Sequence, residues 1–272
     1  SNICTAQVLL AIMAGFYGVY HGPEGLRNIA LRIRALSGTL AEGLRRRGHV
    51  VHEGPFFDTV RVRPSGGADA VKKRLAAQRI NVRDFGDGSL GITLDQTTQV
   101  DDLHDLWSCF GQGDENAEAV LAEVDTDFPA TLARTTDFMT HPVFHRYRTE
   151  TEMLRYMRSL ADRDLALDRC MIPLGSCTMK LNATAEMIPV TWPEFARIHP
   201  YAPADQAKGY AEMITRLEEM LADCTGYAAV SLQPNAGSQG EFAGLMAIAR
   251  YHQSRDEGHR KVCLIPQSAH GT

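Results

Sequence analysis

The sharpest chemical pattern in the chain is Ala228-Ala-Val-Ser-Leu-Gln-Pro-Asn-Ala-Gly-Ser-Gln-Gly-Glu241. A strand is expected over Ala228 to Gln233, a tight loop over Pro234 to Ser238, and a helix over Ser238 to Gln253. Gly237 lets backbone come close to a ligand, and the free N–H groups of a helix start favour an anion. Ser238 and Gln239 add side-chain donors, so a phosphate could sit there. Ser238-x-x-Glu241 also fits a plain capping box with no ligand, and both readings stay open. The pattern is neither G-x-x-x-x-G-K-[ST] nor G-x-G-x-x-G, which disfavours nucleotide folds.

Two further segments carry reactive groups. Ser268-Ala-His270-Gly-Thr272 follows an expected strand over 261 to 266. In open α/β sheets ligands bind beyond the carboxyl ends of strands. His270 could stack on a flat ring or donate a hydrogen bond; the plainer reading is a surface loop histidine. Pro173-Leu-Gly-Ser-Cys-Thr-Met-Lys-Leu-Asn182 gathers hydroxyls, a thiol, an ammonium and an amide. Cys177 as a nucleophile needs a base that no local pattern supplies, and Lys180 as a Schiff-base lysine needs a lowered pKa. The plainer reading is a polar loop lining a cleft. The histidines show no metal-ligand spacing. His141 and His145 lie four apart, but Pro142 argues against one helix presenting both, so no metal site is expected.

The elements that must position these groups belong to an ordinary globular chain. Its 272 residues carry 28 Lys plus Arg against 33 Asp plus Glu, a net charge of −5, with 44% hydrophobic residues. That excludes disordered and fibrous classes and suggests two domains. No nucleic-acid footprint is expected: the run Arg45-Arg46-Arg47 sits at a helix end, where it complements the helix dipole. No membrane partner is expected either, because the longest apolar stretch, Val8 to Tyr20, is shorter than the roughly 20 residues a span needs. The six cysteines, with no C-x-x-C pair, read as reduced and intracellular. Ser1 in place of a start methionine, and a strand with half a loop before Thr272, lead us to expect a piece of something longer.

Helices are expected over Gln7 to His21 and Pro23 to Arg47, separated at Gly22-Pro23. Short strands follow at His49 to Glu53 and Thr59 to Arg63, then a helix over Ala68 to Gln78. A hairpin is expected from Asn81–Phe85 and Ser89–Leu94 around Gly86-Asp87-Gly88, then a helix over Val100 to Phe110. This order predicts a small α+β domain over 1–115 with a mostly antiparallel sheet. Residues 116–148 are read as a linker containing a short helix at Ala117 to Val124. Beyond it come helices at Thr149 to Leu160 and Gln206 to Thr225. With the strands at 228–233 and 261–266, they predict an α/β domain over 149–272 with a parallel sheet.

Longer strings then carry a resemblance. They are Thr140-His-Pro-Val-Phe144, Glu150-Thr-Glu-Met-Leu154, Met171-Ile-Pro-Leu-Gly-Ser-Cys-Thr-Met-Lys-Leu-Asn182, Ile188-Pro-Val-Thr-Trp-Pro-Glu-Phe195, Ser231 to Glu241 and Ser268 to Thr272. With Ser1 to Gln7 and Tyr20-His-Gly-Pro-Glu-Gly-Leu26, they closely resemble the glycine decarboxylase family, the P-proteins of the glycine cleavage system. The resemblance covers essentially the whole chain.

The resemblance implies a pyridoxal-phosphate enzyme of the aspartate-aminotransferase fold (fold type I), incomplete here and straddling the junction of the family's two similar halves. It implies decarboxylation of glycine and transfer of the aminomethyl group to the lipoyl arm of an H-protein. By motif, Ala236, Gly237, Ser238 and Gln239 would hold the cofactor phosphate, His270 would stack on the pyridine ring, and Thr272 would lie near the phosphate. Asn235 and the Ser176-Cys177-Thr178 loop would face the glycine pocket or the lipoyl channel. The implied partners are glycine, lipoylated H-protein and the remainder of the parent chain or its other subunit, in a dimer of two-half units. The setting would be bacterial cytoplasm or the mitochondrial matrix. The family's Schiff-base lysine lies downstream of the His-Gly-Thr segment, and Lys72, Lys73, Lys180, Lys208 and Lys261 do not sit in its motif. This chain alone is therefore expected to be inactive. The alternatives are a non-catalytic partner subunit or pseudoenzyme of the family, or another lysine-dependent decarboxylase of the same fold.

Overall fold

The computed structural model describes residues 5–125, 128–163, 183–235 and 237–269. The chain divides into two compact units, one of Gly18–Thr149 and one of Ser1–Tyr17 with Glu150–Thr272. Among the described residues, every buried hydrophobic side chain lies in Gly18–Thr149.

Helix α1 runs over Thr5–Arg46 and kinks at Gly22, whose φ is 63° and ψ −177°. The break falls where expected, because a positive φ suits glycine and Pro23 lacks the N–H that would continue the helix. After the kink, Leu36, Leu40, Ala41 and Leu44 recur at helical spacing and are buried. They cover one face of a four-stranded sheet of β1 (Val50–Val51), β2 (Thr59–Arg63), β3 (Arg83–Asp84) and β4 (Leu90–Thr93). The order is β1-β2-β4-β3 and every pairing is antiparallel. Val60 stands opposite Ile92 and Val62 opposite Leu90, and all four are buried. Their neighbours Thr59 and Thr93 face the other way and share a hydrogen bond of 2.9 Å. The expected hairpin closes at Gly86 and Gly88, both at positive φ. Between them Asp87 accepts from the Ser89 hydroxyl at 2.5 Å and from the Ser89 N–H at 2.9 Å. Those bonds, with Arg61 beside them, hold its carboxyl down to about 2.

Helices α2 (Ala68–Ala77), α3 (Val100–Phe110) and α4 (Ala117–Glu123) complete this unit. The expected linker begins differently from the expectation. Ala117 and Val120 of α4 are fully buried in the same core, because α4 repeats its apolar residues at i and i+3. The indole of Trp107 lies directly on the backbone of α1 and donates from Nε1 to the Leu40 carbonyl at 3.2 Å. A Cβ at Gly43 would fall within 3.0 Å of that ring. Arg47 stacks over the indole with its guanidinium carbon 4.8 Å from the ring centroid. It is also paired with Glu115 at 2.7 Å. Its neighbours Arg45 and Arg46 pair with Glu42, and Arg46 also reaches Glu123. The arginine run is therefore a set of local ion pairs at a helix end.

The other unit holds the first part of α1 with α5 (Glu150–Ala161), α6 (Thr184–Met187), α7 (Pro193–Ala196), α8 (Lys208–Thr225) and α9 (Gly237–Ser254). The helices expected near 149–160, 206–225 and 238–253 are present. Phe195 packs edge-on against Tyr210, whose hydroxyl donates to the Phe195 carbonyl at 2.9 Å. The strands expected over 228–233 and 261–266 are not formed. A strand exists through hydrogen bonds to a neighbouring strand, and among the described residues neither segment has one. The only sheet among the described residues is the antiparallel one, so the architecture is mixed α and β with a small sheet and the parallel sheet is absent from it. Leu217 and Met220 of α8 are 45% and 62% exposed.

Two outcomes follow from the packed unit. Alanine normally stabilises a helix interior over glycine by about 1 kcal/mol. Gly43→Ala should do the reverse and cost about 1–3 kcal/mol by overpacking against Trp107, read as a lower urea midpoint. The second concerns His49, whose Nε2 donates to the Phe110 carbonyl at 3.0 Å while its Nδ1 accepts from the Ser65 N–H at 3.2 Å, which defines the neutral ring. Burial, aided by the charges of Arg47 and Arg74, outweighs the Phe110 bond and pushes its pKa below the ordinary 6.5. The unfolded chain then takes up the proton first. The stabilisation is complete above about pH 6.5 and is lost as pH falls through the lower folded value. Urea melts between pH 7.5 and 5 should show this loss, and His49→Gln should flatten it.

Candidate functional site

Helix α9 starts at Gly237, two residues beyond Asn235. The backbone N–H of Asn235 donates to Oε1 of Gln239 at 2.8 Å. The side chain of Gln239 thus folds back over the helix start and ties the turn to it, with its amide NH2 left to donate. The chain leading into the turn is held as well. The Leu232 N–H donates to the Glu218 carboxylate of α8 at 3.0 Å, and the Gln233 N–H donates to the Ser231 hydroxyl at 3.3 Å.

The electrostatics of this turn suit an anion. The first turn of α9 contains no acidic side chain, so nothing of opposite charge on it offsets the partial positive end of the helix. A Cβ placed at Gly237 or Gly240 would meet no atom within 4 Å, so the space beside the turn is open. The donors there are backbone N–H groups, the Ser238 hydroxyl and the Gln239 NH2. A set of donors at a helix start fits a phosphate group, such as that of pyridoxal phosphate, through hydrogen bonds and the dipole together.

Of the residues expected in the site, the structure brings together Asn235, Gly237, Ser238 and Gln239, all exposed. Ala236, His270 and Thr272 lie outside the described residues, as do Ser176, Cys177, Thr178 and Lys180. Glu218 was not anticipated. It precedes Leu232 by 14 residues and no local spacing links them; only the packing of the 231–235 segment beside α8 does. Among the described residues no group of three or more His, Cys, Asp or Glu could hold a metal ion. His141 and His145 are used locally: Nδ1 of His141 accepts from the Val143 N–H at 3.2 Å, and Nε2 of His145 lies 3.0 Å from the Met139 carbonyl. Cys109, Cys224 and Cys263 are free thiols. Among the described residues no helix is long and apolar enough to cross a membrane.

The chain is similar to known proteins along its whole length. A family model described as "Glycine cleavage system P-protein" matches residues 1–110. The chain is 58% identical, over its full length, to a glycine dehydrogenase (decarboxylating) of Cupriavidus metallidurans. It is 57% identical, again over its full length, to the protein of the same name from Gluconobacter oxydans. It spans 28% of the first and 29% of the second.

Proposed function

Since the chain belongs to the glycine cleavage system P-protein family, we propose that it forms part of a pyridoxal-phosphate enzyme that decarboxylates glycine and passes the aminomethyl group to the lipoyl arm of an H-protein. The observation that carries the cofactor assignment is the donor-lined start of α9, open beside Gly237 and free of acidic side chains in its first turn. Bound pyridoxal phosphate supplies an electron sink for the charge left when CO2 departs. The chain's own part is to anchor and orient. The N–H groups after Gly237 and the Ser238 hydroxyl would take the phosphate, and Gln239 would keep the turn in register through Asn235. The Asn235 amide would face the glycine pocket. By motif, Ala236 would join the phosphate cradle, His270 would stack on the pyridine ring and Thr272 would lie near the phosphate. Ser176, Cys177 and Thr178 would face the glycine pocket or the lipoyl channel.

We assign the residues from about 140 onward to the start of the cofactor-binding half, of the aspartate-aminotransferase fold type, and those before about 115 to the small domain of the preceding half. The full assembly is a dimer of two-half units, acting in bacterial cytoplasm or, in a eukaryote, in the mitochondrial matrix. None of the five lysines sits in the family's lysine motif, so the Schiff-base lysine belongs to the part of the longer relatives that this span does not cover, and this chain alone is inactive. The second reading, a non-catalytic partner subunit of the family, is disfavoured by the 234–239 and 268–272 segments, which resemble the catalytic half.

The first test is glycine–CO2 exchange by the full-length protein with and without lipoylated H-protein. Exchange that requires H-protein supports the proposal; exchange indifferent to it points to another decarboxylase, and no exchange to the non-catalytic partner. In the same protein, Ser238→Ala should weaken pyridoxal phosphate binding roughly tenfold or more, as loss of a hydrogen bond to a charged group does, read by equilibrium titration. The 272-residue chain mixed with pyridoxal phosphate should show no internal Schiff-base absorbance and release no CO2 from glycine.

A further inference from the structure

The motif Tyr20-His-Gly-Pro-Glu-Gly-Leu26 takes no part in the proposed chemistry, yet it surrounds an unusual arrangement. A helix continuing through residue 23 would satisfy the Val19 carbonyl with the N–H of residue 23, and Pro23 has none. The positive φ of Gly22 turns the chain away as well. The carbonyls at the end of the first part of α1 therefore need other donors. Arg148 supplies them, although it is 129 residues from Val19 in sequence. Its Nη1 donates to the Val19 carbonyl at 2.6 Å and to the Tyr20 carbonyl at 3.2 Å. Its Nη2 donates to the Phe144 carbonyl. A guanidinium suits this task because its donors are planar and fixed, and its charge meets the negative end of the helix segment.

Glycine at 22 is part of the same device. A Cβ there would occupy the space of the Arg148 guanidinium and the Phe144 carbonyl. Nearby, a Cβ at Gly18 would meet the Met139 methyl at 3.3 Å and the Phe144 ring at 3.8 Å, so the segment 139–148 lies close along this turn of α1. Gly18 and Thr149 are the first and last residues of their compact unit. Arg148 thus joins the place where the chain enters that unit to the place where it leaves.

We infer that Arg148 is a positioning residue that pins the entry and exit of the Gly18–Thr149 unit to each other. Without the pin, the two ends of a 132-residue stretch would be joined only through the rest of the core. With it, the kink at Gly22-Pro23 and the turn at 142–148 open and close as one body.

Hydrogen exchange on the whole chain tests this. Arg148→Met keeps the stem and removes the guanidinium. It should speed exchange at least tenfold both at residues 18–24 and at 143–149, while Val100–Phe110 in the core stays within twofold. Arg148→Lys, with a single point donor that cannot bridge the Val19 and Phe144 carbonyls, should fall between wild type and Met. Unchanged exchange overturns the inference. So does a response in only one of the two segments, since the two ends would then not be pinned to each other. Loss of protection in the core to the same extent under both substitutions also overturns it, because Arg148 would then be a general core contact.

Discussion

The packed part of this protein depends on how closely Trp107 approaches the backbone of α1. The indole can lie there only because residue 43 has no side chain, and Nε1 finds its acceptor in the Leu40 carbonyl. A large ring on a helix backbone sets the spacing between α1 and α3. The sheet then fills the space beside them with Val60, Val62, Leu90 and Ile92. On the indole's other side Arg47 is held by Glu115, in a setting where burial works against its charge. The pair is tolerable there because the cation has both a carboxylate and an aromatic face for company. His49, near the end of the same helix, spends both ring nitrogens on backbone partners and stays neutral. The end of α1 thus encloses a histidine with both ring nitrogens bonded and an arginine whose Nη1 is paired with Glu115 while its Nε has no hydrogen-bond partner among the described residues.

The second unit is organised differently. Its helices form through local periodicity and capping, but its large apolar side chains, among them Leu217, Met220, Phe242 and Ile248, remain exposed among the described residues. Helices need no neighbour to satisfy their backbone, whereas strands do. That difference explains why α5, α8 and α9 are present while 228–233 and 261–266 stay irregular. The turn into α9 is held all the same by two short-range bonds, Asn235 to Gln239 and Gln233 to Ser231, and by one bond to α8, Leu232 to Glu218.

The sequence by itself determined the approximate spans of the long helices, the hairpin at Gly86-Asp87-Gly88 and the break at Gly22-Pro23. Each follows from a local rule: side-chain period, positive φ at glycine, or a missing proline N–H. The candidate turn at 235–239 was legible for the same reason, since its residues are contiguous. Only the tertiary structure decided what depends on residues far apart in the chain. It made α4 part of the core instead of a linker, set Trp107 on Gly43, enlisted Glu218 behind the candidate site and brought Arg148 to the carbonyls of Val19 and Tyr20. It also left the two expected strands unformed, because an apolar run becomes a strand only where another strand supplies the hydrogen bonds, and no residue within the run can stand in for that partner.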